Sequence, residues 1–420
     1  MLRCAIQIFQ MANIYDLHIR GLFMHVCYAI IAPFDRWEIA IGQQRRRRSH
    51  IHSPLEPYQY CELSESPRHI RLLRLRRRSF FSSPSCELIQ VPLDKAPPFE
   101  AISYTLGDRA PNIPVEVGGR QMLVTSTVDE LLFYRRSIFT SALFRTDSIC
   151  INQEDNDEKN NQLPTMADIY RRVSRVVVWL GASESRKDTY IVRKMIRVLY
   201  YPEYFKSTNA LFPHLFKNED EPYIAIGMLL SHLWFARVWI IQEVTIGKEV
   251  HVIYHGTCTE WNLLADAIKH LGTDSEFSRQ RQYYNSPKVT STNTYDQKLG
   301  RSATMNTIHQ VRLAQLGSIT PIRSSMETGN LSSLSVILPM TSVFKSTNPR
   351  DKVFAVLGIA KDSHQPPFKP DYNEDVEKVF LKTTAFVLSS KSRLIILSFA
   401  GRGYESYSRT PRSVFMDKLL

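Results

Sequence analysis

Three places in this sequence carry residue types that could do chemistry. Asp108 follows Gly107 just after a strand-length run, Phe99–Tyr104 (FEAISY). In doubly wound sheets the loops that leave the carboxyl ends of strands hold ligands, so a carboxylate there is a candidate contact. An Asx-type turn would use the same residue for structure alone. Asp147 lies in Phe144–Ile151 (FRTDSICI), where it could face a site or hold the next loop by accepting backbone N–H bonds. Asn152, Gln153, Asp155 and Glu158 form a polar cluster behind it. They could line a loop that controls ligand access or assembly. They could equally cap a helix, whose positive N-terminal end favours acids.

Other chemistries fail specific tests. The 12 histidines show no paired spacing, which argues against a metal site. No Gly-x-x-x-x-Gly-Lys-Ser/Thr loop, Gly-x-Ser-x-Gly elbow or His-Glu-x-x-His helix occurs. Cys150 sits between two isoleucines with no histidine near it in sequence, so it reads as a small buried thiol.

The elements that must position these residues follow from periodicity. His69–Arg76, Cys86–Val91 and Phe99–Tyr104 are runs of strand length. Ile113–Val117 and Gln121–Thr125 flank Gly118-Gly119, a dipeptide suited to a tight hairpin turn. Ser126–Arg136 reads as a short helix with Leu131-Leu132 inward. Phe144–Ile151 reads as a strand, Lys159–Arg172 as a helix starting near Pro164, and Val176–Leu180 (VVVWL) as a strand buried on both faces. Strand, helix and buried strand make a βαβ unit, so a doubly wound parallel α/β sheet flanked by helices is expected. Further on, Ile191–Tyr200, Ile224–Trp234, Phe235–Thr245, Glu260–Leu271 and Asp375–Ser389 read as helices, and Tyr201–Phe216 as an aromatic loop.

Composition bounds the whole. The chain has 420 residues, 43% of them hydrophobic, enough for a real core. Its net charge is +12, and +7 of that falls within residues 1–80, which hold the run Arg45–Arg48. Nucleic-acid binding would rest on those arginines alone, so no specific nucleic-acid partner is expected. Six scattered cysteines suit a reducing compartment. The apolar stretch Gly21–Phe34 is too short to span a bilayer, and no transmembrane segment is expected. The expected division is a basic extension over 1–55, a main domain over 56–250, and an accessory region over 251–420. Residues 273–330 lose periodicity and read as a mobile segment.

Several blocks occur together in order: Phe99–Asp108 (FEAISYTLGD), Asp147–Gln153 (DSICINQ), Gln162–Tyr170 with Val176–Gly181 (VVVWLG), Trp234–Val244 (WFARVWIIQEV) and Arg350–Gly358 (RDKVFAVLG). This set resembles the fungal heterokaryon incompatibility (HET) domain family. The resemblance implies a cytoplasmic non-self-recognition protein that promotes programmed cell death in fungi. It would act as a signalling and assembly module, through protein partners in incompatibility signalling or copies of itself, with no cofactor. The HET domain is distantly similar to Toll/interleukin-1 receptor (TIR) domains, some of which cleave NAD with a glutamate on a helix. The resemblance places Glu243 of VWIIQEV at that position, which makes a TIR-like NAD glycohydrolase the alternative, with NAD as substrate. A carboxylate there could stabilise oxocarbenium character or orient ribose hydroxyls; a surface pair or cap would use Gln242-Glu243 structurally.

The sequence departs from the family pattern in places. Leu106 replaces a usual tryptophan, and Arg145 and Thr146 replace two large apolar residues. Arg145 would be costly to bury without partners. A Trp-rich block expected after Leu394–Gly401 is absent, so the mostly helical C-terminal region reads as truncated, and an inactive truncated paralogue is a third expectation.

Overall fold

The computed structural model describes residues 55–63, 68–77, 84–105, 110–135, 140–181, 229–255, 257–273, 302–362 and 370–389. Asp108 lies outside the described residues, as do Arg45–Arg48, the helix and aromatic loop expected over 191–216, and the stretch from 390 onward.

Nine strands form one mixed sheet: β1 His69–Leu75, β2 Ser85–Pro92, β3 Glu100–Tyr104, β4 Ile113–Val117, β5 Arg120–Val124, β6 Ala142–Arg145, β7 Arg175–Trp179, β8 Val250–Tyr254 and β9 Thr257–Glu260. Their spatial order is β5-β4-β2-β1-β6-β3-β7-β8-β9. The expected parallel pairing holds for the centre, where β6, β3, β7 and β8 run the same way. Toward the flanks the sheet is mixed, with β2 and β4 parallel but the other pairs not. β1 is antiparallel to both β2 and β6, and β4–β5 and β8–β9 are antiparallel. Short turns explain those last two pairs. Gly118 and Gly119 take φ of +60° and +78°, the left-handed pair that a two-residue hairpin turn requires.

Alternation along the central strands feeds two cores. Ala101, Val176 and Val178 face one layer, with helices Met166–Arg172, Ile240–Ile246 and Ser302–Glu327. Ile102, Tyr104, Val177 and Trp179 face the other, with helix Ser126–Arg135 and the turn Asp147–Cys150. A strand apolar at every position is the one that needs cover on both faces.

Three expectations are corrected. The strand over Phe144–Ile151 stops at Arg145, and Asp147–Cys150 is a helical turn. Thr146-Asp147-Ser148 is a run of residues that start turns, and Ile149, Cys150 and Ile151 are buried together instead of alternating. Pro164 interrupts its helix: Asn156–Gln162 and Met166–Arg172 flank a 3-10 turn, Leu163–Thr165. Proline has no N–H for the helical ladder. Within the segment expected to be mobile, Ser302–Glu327 is a 26-residue helix. Its polar composition hides one buried apolar stripe, Leu316, Ile319 and Ile322. Buried residues on the two sides of residue 250 also pack together. A single cluster runs from Ile70 through Val252, Ile319 and Phe354 to Val379.

Gly358 shows how closely the later helices approach. A Cβ there would lie 2.5 Å from the Ala167 Cβ and 2.9 Å from the Gln242 Nε2. Gly358→Ala is therefore expected to destabilise the fold by about 1–3 kcal/mol through overpacking. Chemical denaturation of the two proteins measures it, and an unchanged midpoint would refute the close approach.

Candidate functional site

The carboxyl ends of β6, β3, β7 and β8 share one edge of the sheet, the edge where open α/β folds bind ligands. β3 ends there in Ser103-Tyr104, and Thr146-Asp147-Ser148 follow β6. Across from them the turn Leu233–Ala236 supplies Trp234, and Arg237 follows it. Helix Ile240–Ile246 brings Glu243 in its first turn.

These residues form one connected network. The Trp234 indole Nε1–H donates to Ser103 Oγ at 2.6 Å. The Ser103 hydroxyl in turn donates to Glu243 Oε2 in a short hydrogen bond. The other carboxylate oxygen, Oε1, lies 4.0 Å from Arg237 Nη1. That same Nη1 donates to the Tyr104 carbonyl at 2.6 Å. The Tyr104 hydroxyl meets Ser148 Oγ and accepts from Thr146 Oγ1 at 3.3 Å.

Glu243 is 3% exposed. Burial raises its carboxyl above the usual range and the Asp147 charge adds to this; Arg237, Ser103 and Trp234 pull it back. Tyr170 is raised well above its usual value, first by burial and then by the Glu243 and Asp147 charges. Asp147 is different, with 44% of its side chain exposed. Burial still pushes its carboxyl up, opposed by Arg145 and Arg237, but water screens a group this open. Arg237 is the other group that solvent reaches, at 33% side-chain exposure. Asp351, from the Arg350–Gly358 block, joins from behind. Its carboxyl is raised by burial and accepts hydrogen bonds from Tyr372 and Trp239, with Arg237 also lowering it.

The edge thus brings Asp147 and Glu243 into one electrostatic cluster around Arg237. It holds a buried carboxyl whose pKa is raised, and it offers a guanidinium and a half-exposed carboxylate to an outside group. Of the two Glu243 oxygens, Oε2 accepts from Ser103 and Oε1 faces Arg237.

Among the described contacts, Asn152 and Glu158 do not join this cluster, and Gln153 touches it only at the Asp147 backbone. Glu158 is buried in a two-pronged pair with Arg71, its Oε2 accepting from Arg71 Nη2 at 2.9 Å. The Asn152 N–H donates to Glu158 Oε1 at 2.9 Å, and Asn152 Oδ1 accepts from the Glu154 N–H at 3.2 Å. Gln153 Nε2 donates to the Asp147 carbonyl at 2.8 Å. Asp155 caps the following helix, accepting from the Glu158 N–H at 2.9 Å. The polar turn is built as a loop brace and helix cap. Arg145 is buried as its sequence position warned. It donates from Nη1 to the Arg71 carbonyl at 3.0 Å and from Nη2 to Gln162 Oε1 at 3.3 Å.

Ser103, Tyr170, Arg237 and Asp351 were not singled out by residue type. Arg237 carried a readable signal, as a lone charge inside the otherwise apolar run WFARVWII. Ser103 carried none. Among the described residues, no group of three or more His, Cys, Asp or Glu is placed to hold a metal ion. No helix among them is long and apolar enough to cross a membrane.

The comparisons with known proteins agree with the motifs. Residues 99–243 match the family model described as heterokaryon incompatibility protein (HET). The chain is 26% identical over 384 residues to heterokaryon incompatibility protein 6, OR allele, of Neurospora crassa, covering 80% of this chain and 54% of that protein. It therefore spans about half the length of the curated relative it matches. No solved structure matches it.

Proposed function

We propose, from the match of residues 99–243 to the heterokaryon incompatibility family, that this chain serves fungal non-self recognition. In this reading it promotes programmed death of incompatible cells from the cytoplasm, as a signalling and assembly module. The observation that carries the non-catalytic form is the state of Glu243. It is 3% exposed and one oxygen is committed to Ser103, inside a segment whose match begins at β3 and ends on Glu243 itself. A carboxylate so engaged serves to tie helix Ile240–Ile246 to the carboxyl edge of β3. Asp147 and Arg237, the solvent-reached members, are then the groups available to a protein partner.

One observation favours a second reading, a TIR-like NAD glycohydrolase. The remaining oxygen, Oε1, faces Arg237 at the sheet edge where α/β folds take ligands. There a carboxylate could stabilise charge developing at an anomeric carbon.

Expression of the whole chain and of Glu243→Gln in a fungal host separates the two. Glutamine keeps the volume and can still accept from Ser103, so the fold is expected to survive. It also mimics the protonated carboxyl that burial favours. Because the carboxyl is raised in the folded chain, the stability it contributes is lost as pH rises through that value, so Glu243→Gln should unfold no more easily than the native chain at neutral pH. The expected outcome is death with cellular NAD preserved, in the native chain and the variant alike. NAD loss that falls by about a hundredfold or more in Glu243→Gln would replace this reading with the enzymatic one. A folded product that causes neither death nor NAD loss would identify an inactive chain.

A further inference from the structure

We propose that Cys258 and His251 form a thiol–disulfide exchange site, at which Cys258 takes up a small-molecule disulfide such as glutathione disulfide and His251 accepts the thiol proton. The two residues lie on the antiparallel pair β8–β9, away from the network at the carboxyl edge. Register pairs His251 with Glu260 and Ile253 with Cys258, which sets His251 and Cys258 diagonally on one face of the sheet. Cys258 Sγ lies 3.5 Å from His251 Nδ1. Cys258 is exposed, and four consecutive cross-strand pairs fix the geometry.

The imidazole has a ring nitrogen free to accept a proton. Partial burial lowers its pKa and the Arg175 charge lowers it further, against the opposing charges of Glu260, Glu249 and Glu100. It is therefore a free base at neutral pH, and a nucleophile and base within contact distance is the arrangement that activates thiols. The other described cysteines lack one of these conditions. Cys86 and Cys150 are buried, and burial pushes the Cys150 thiol up. Cys61 is exposed and serves as the internal comparison.

The chemistry closes without an added oxidant beyond the disulfide. The Cys258 proton passes to His251 Nδ1, and the thiolate attacks one sulfur of the small disulfide. That S–S bond breaks and a mixed disulfide forms on Cys258. The other half leaves as a thiolate and takes the proton back from His251. Cys258 is oxidised and the departing half is reduced. β9 stands last in the strand order, so the adduct would load that edge of the sheet with a bulky polar group.

The test exposes the full chain to glutathione disulfide at neutral pH and follows each cysteine by peptide mass mapping. Cys258 is expected to be modified about tenfold faster than Cys61. His251→Gln should slow Cys258 by about tenfold and leave Cys61 unchanged. Equal rates at the two cysteines in the native chain would overturn the proposal, as would an unaltered Cys258 rate in a folded His251→Gln. If that variant does not fold, the native comparison decides alone.

Discussion

Glu158→Ala is expected to lower the free energy of unfolding by about 3–5 kcal/mol, as much as the loss of a large core side chain. The reason is what the substitution leaves behind. Arg71 is 2% exposed, and Glu158 is its only charged partner among the described ion pairs. Its remaining hydrogen bonds go to the carbonyls of Cys61 at 2.7 Å and Cys150 at 3.3 Å, and its guanidinium stacks 5.1 Å from the Tyr60 ring. Carbonyls solvate a guanidinium but do not neutralise it. The Asn152 N–H would lose its acceptor as well. Replacing both charges together, Arg71→Met with Glu158→Met, removes the stranded cation and should recover most of the loss. Denaturant unfolding of the two single variants and the double variant measures the coupling. A Glu158→Ala protein within about 1 kcal/mol of the native chain would mean that the pair is not buried as described. The same series decides between brace and ligand contact, because a ligand-binding carboxylate would lose binding while leaving stability intact.

Which parts of this were legible follows from the range of each interaction. β7 could be read from Val176–Leu180 because burial on both faces writes itself into every position of a strand. The hairpin could be read from two adjacent glycines because the turn is local. Asp147 was placed on a strand because Ile149 and Ile151 fit alternation and a tight helical turn equally well. The deciding residues, Thr146 to Ser148, lie just before them. Helix Ser302–Glu327 was hidden because half of its buried face is polar: Arg312, Gln315 and Arg323 are buried beside Leu316, Ile319 and Ile322. The site was legible as a set of blocks and not as a network. Glu243 meets Ser103 across 140 positions of sequence, and Arg145 meets the Arg71 carbonyl across 74. No spacing rule reaches that far. The sequence could state the cost of burying Arg145; Asp147, 3.6 Å from its Nε, is a near neighbour in sequence, but its hydrogen-bond acceptors come from β1 and from helix Asn156–Gln162.

Ending the chain at residue 250 is expected to abolish cooperative folding of everything before it, although the family match ends earlier, at Glu243. β7 would lose its neighbour, since Val176 to Trp179 pair in parallel with residues 250–253. The central strand would become an apolar edge, which invites aggregation. The helix carrying Glu243 would lose its C-terminal cap. Arg323 Nη1 donates to the carbonyls of Val244 and of Gly247, the latter at 2.9 Å, and Nη2 reaches the Lys248 carbonyl at 3.4 Å. A guanidinium on terminal carbonyls is the charge that a helix C-terminus favours. Arg237 would lose its backbone bracing, because Val238 N–H donates to the Lys345 carbonyl at 2.8 Å and Lys345 N–H donates to Ala236. Helix Met166–Arg172 would lose the bond from Arg171 to the Gly358 carbonyl at 2.9 Å. These contacts make residues 302–357 part of the unit that holds the site. In the full chain, Arg323→Ala isolates one of them and should cost about 2–3 kcal/mol, since it strands buried carbonyls that no other described side chain reaches. Circular dichroism with thermal melting of a 56–250 fragment, beside denaturant unfolding of Arg323→Ala, measures both effects. A fragment that melts sharply with native-like ellipticity would show that the boundary at 250 is real and that the later helices are an accessory after all.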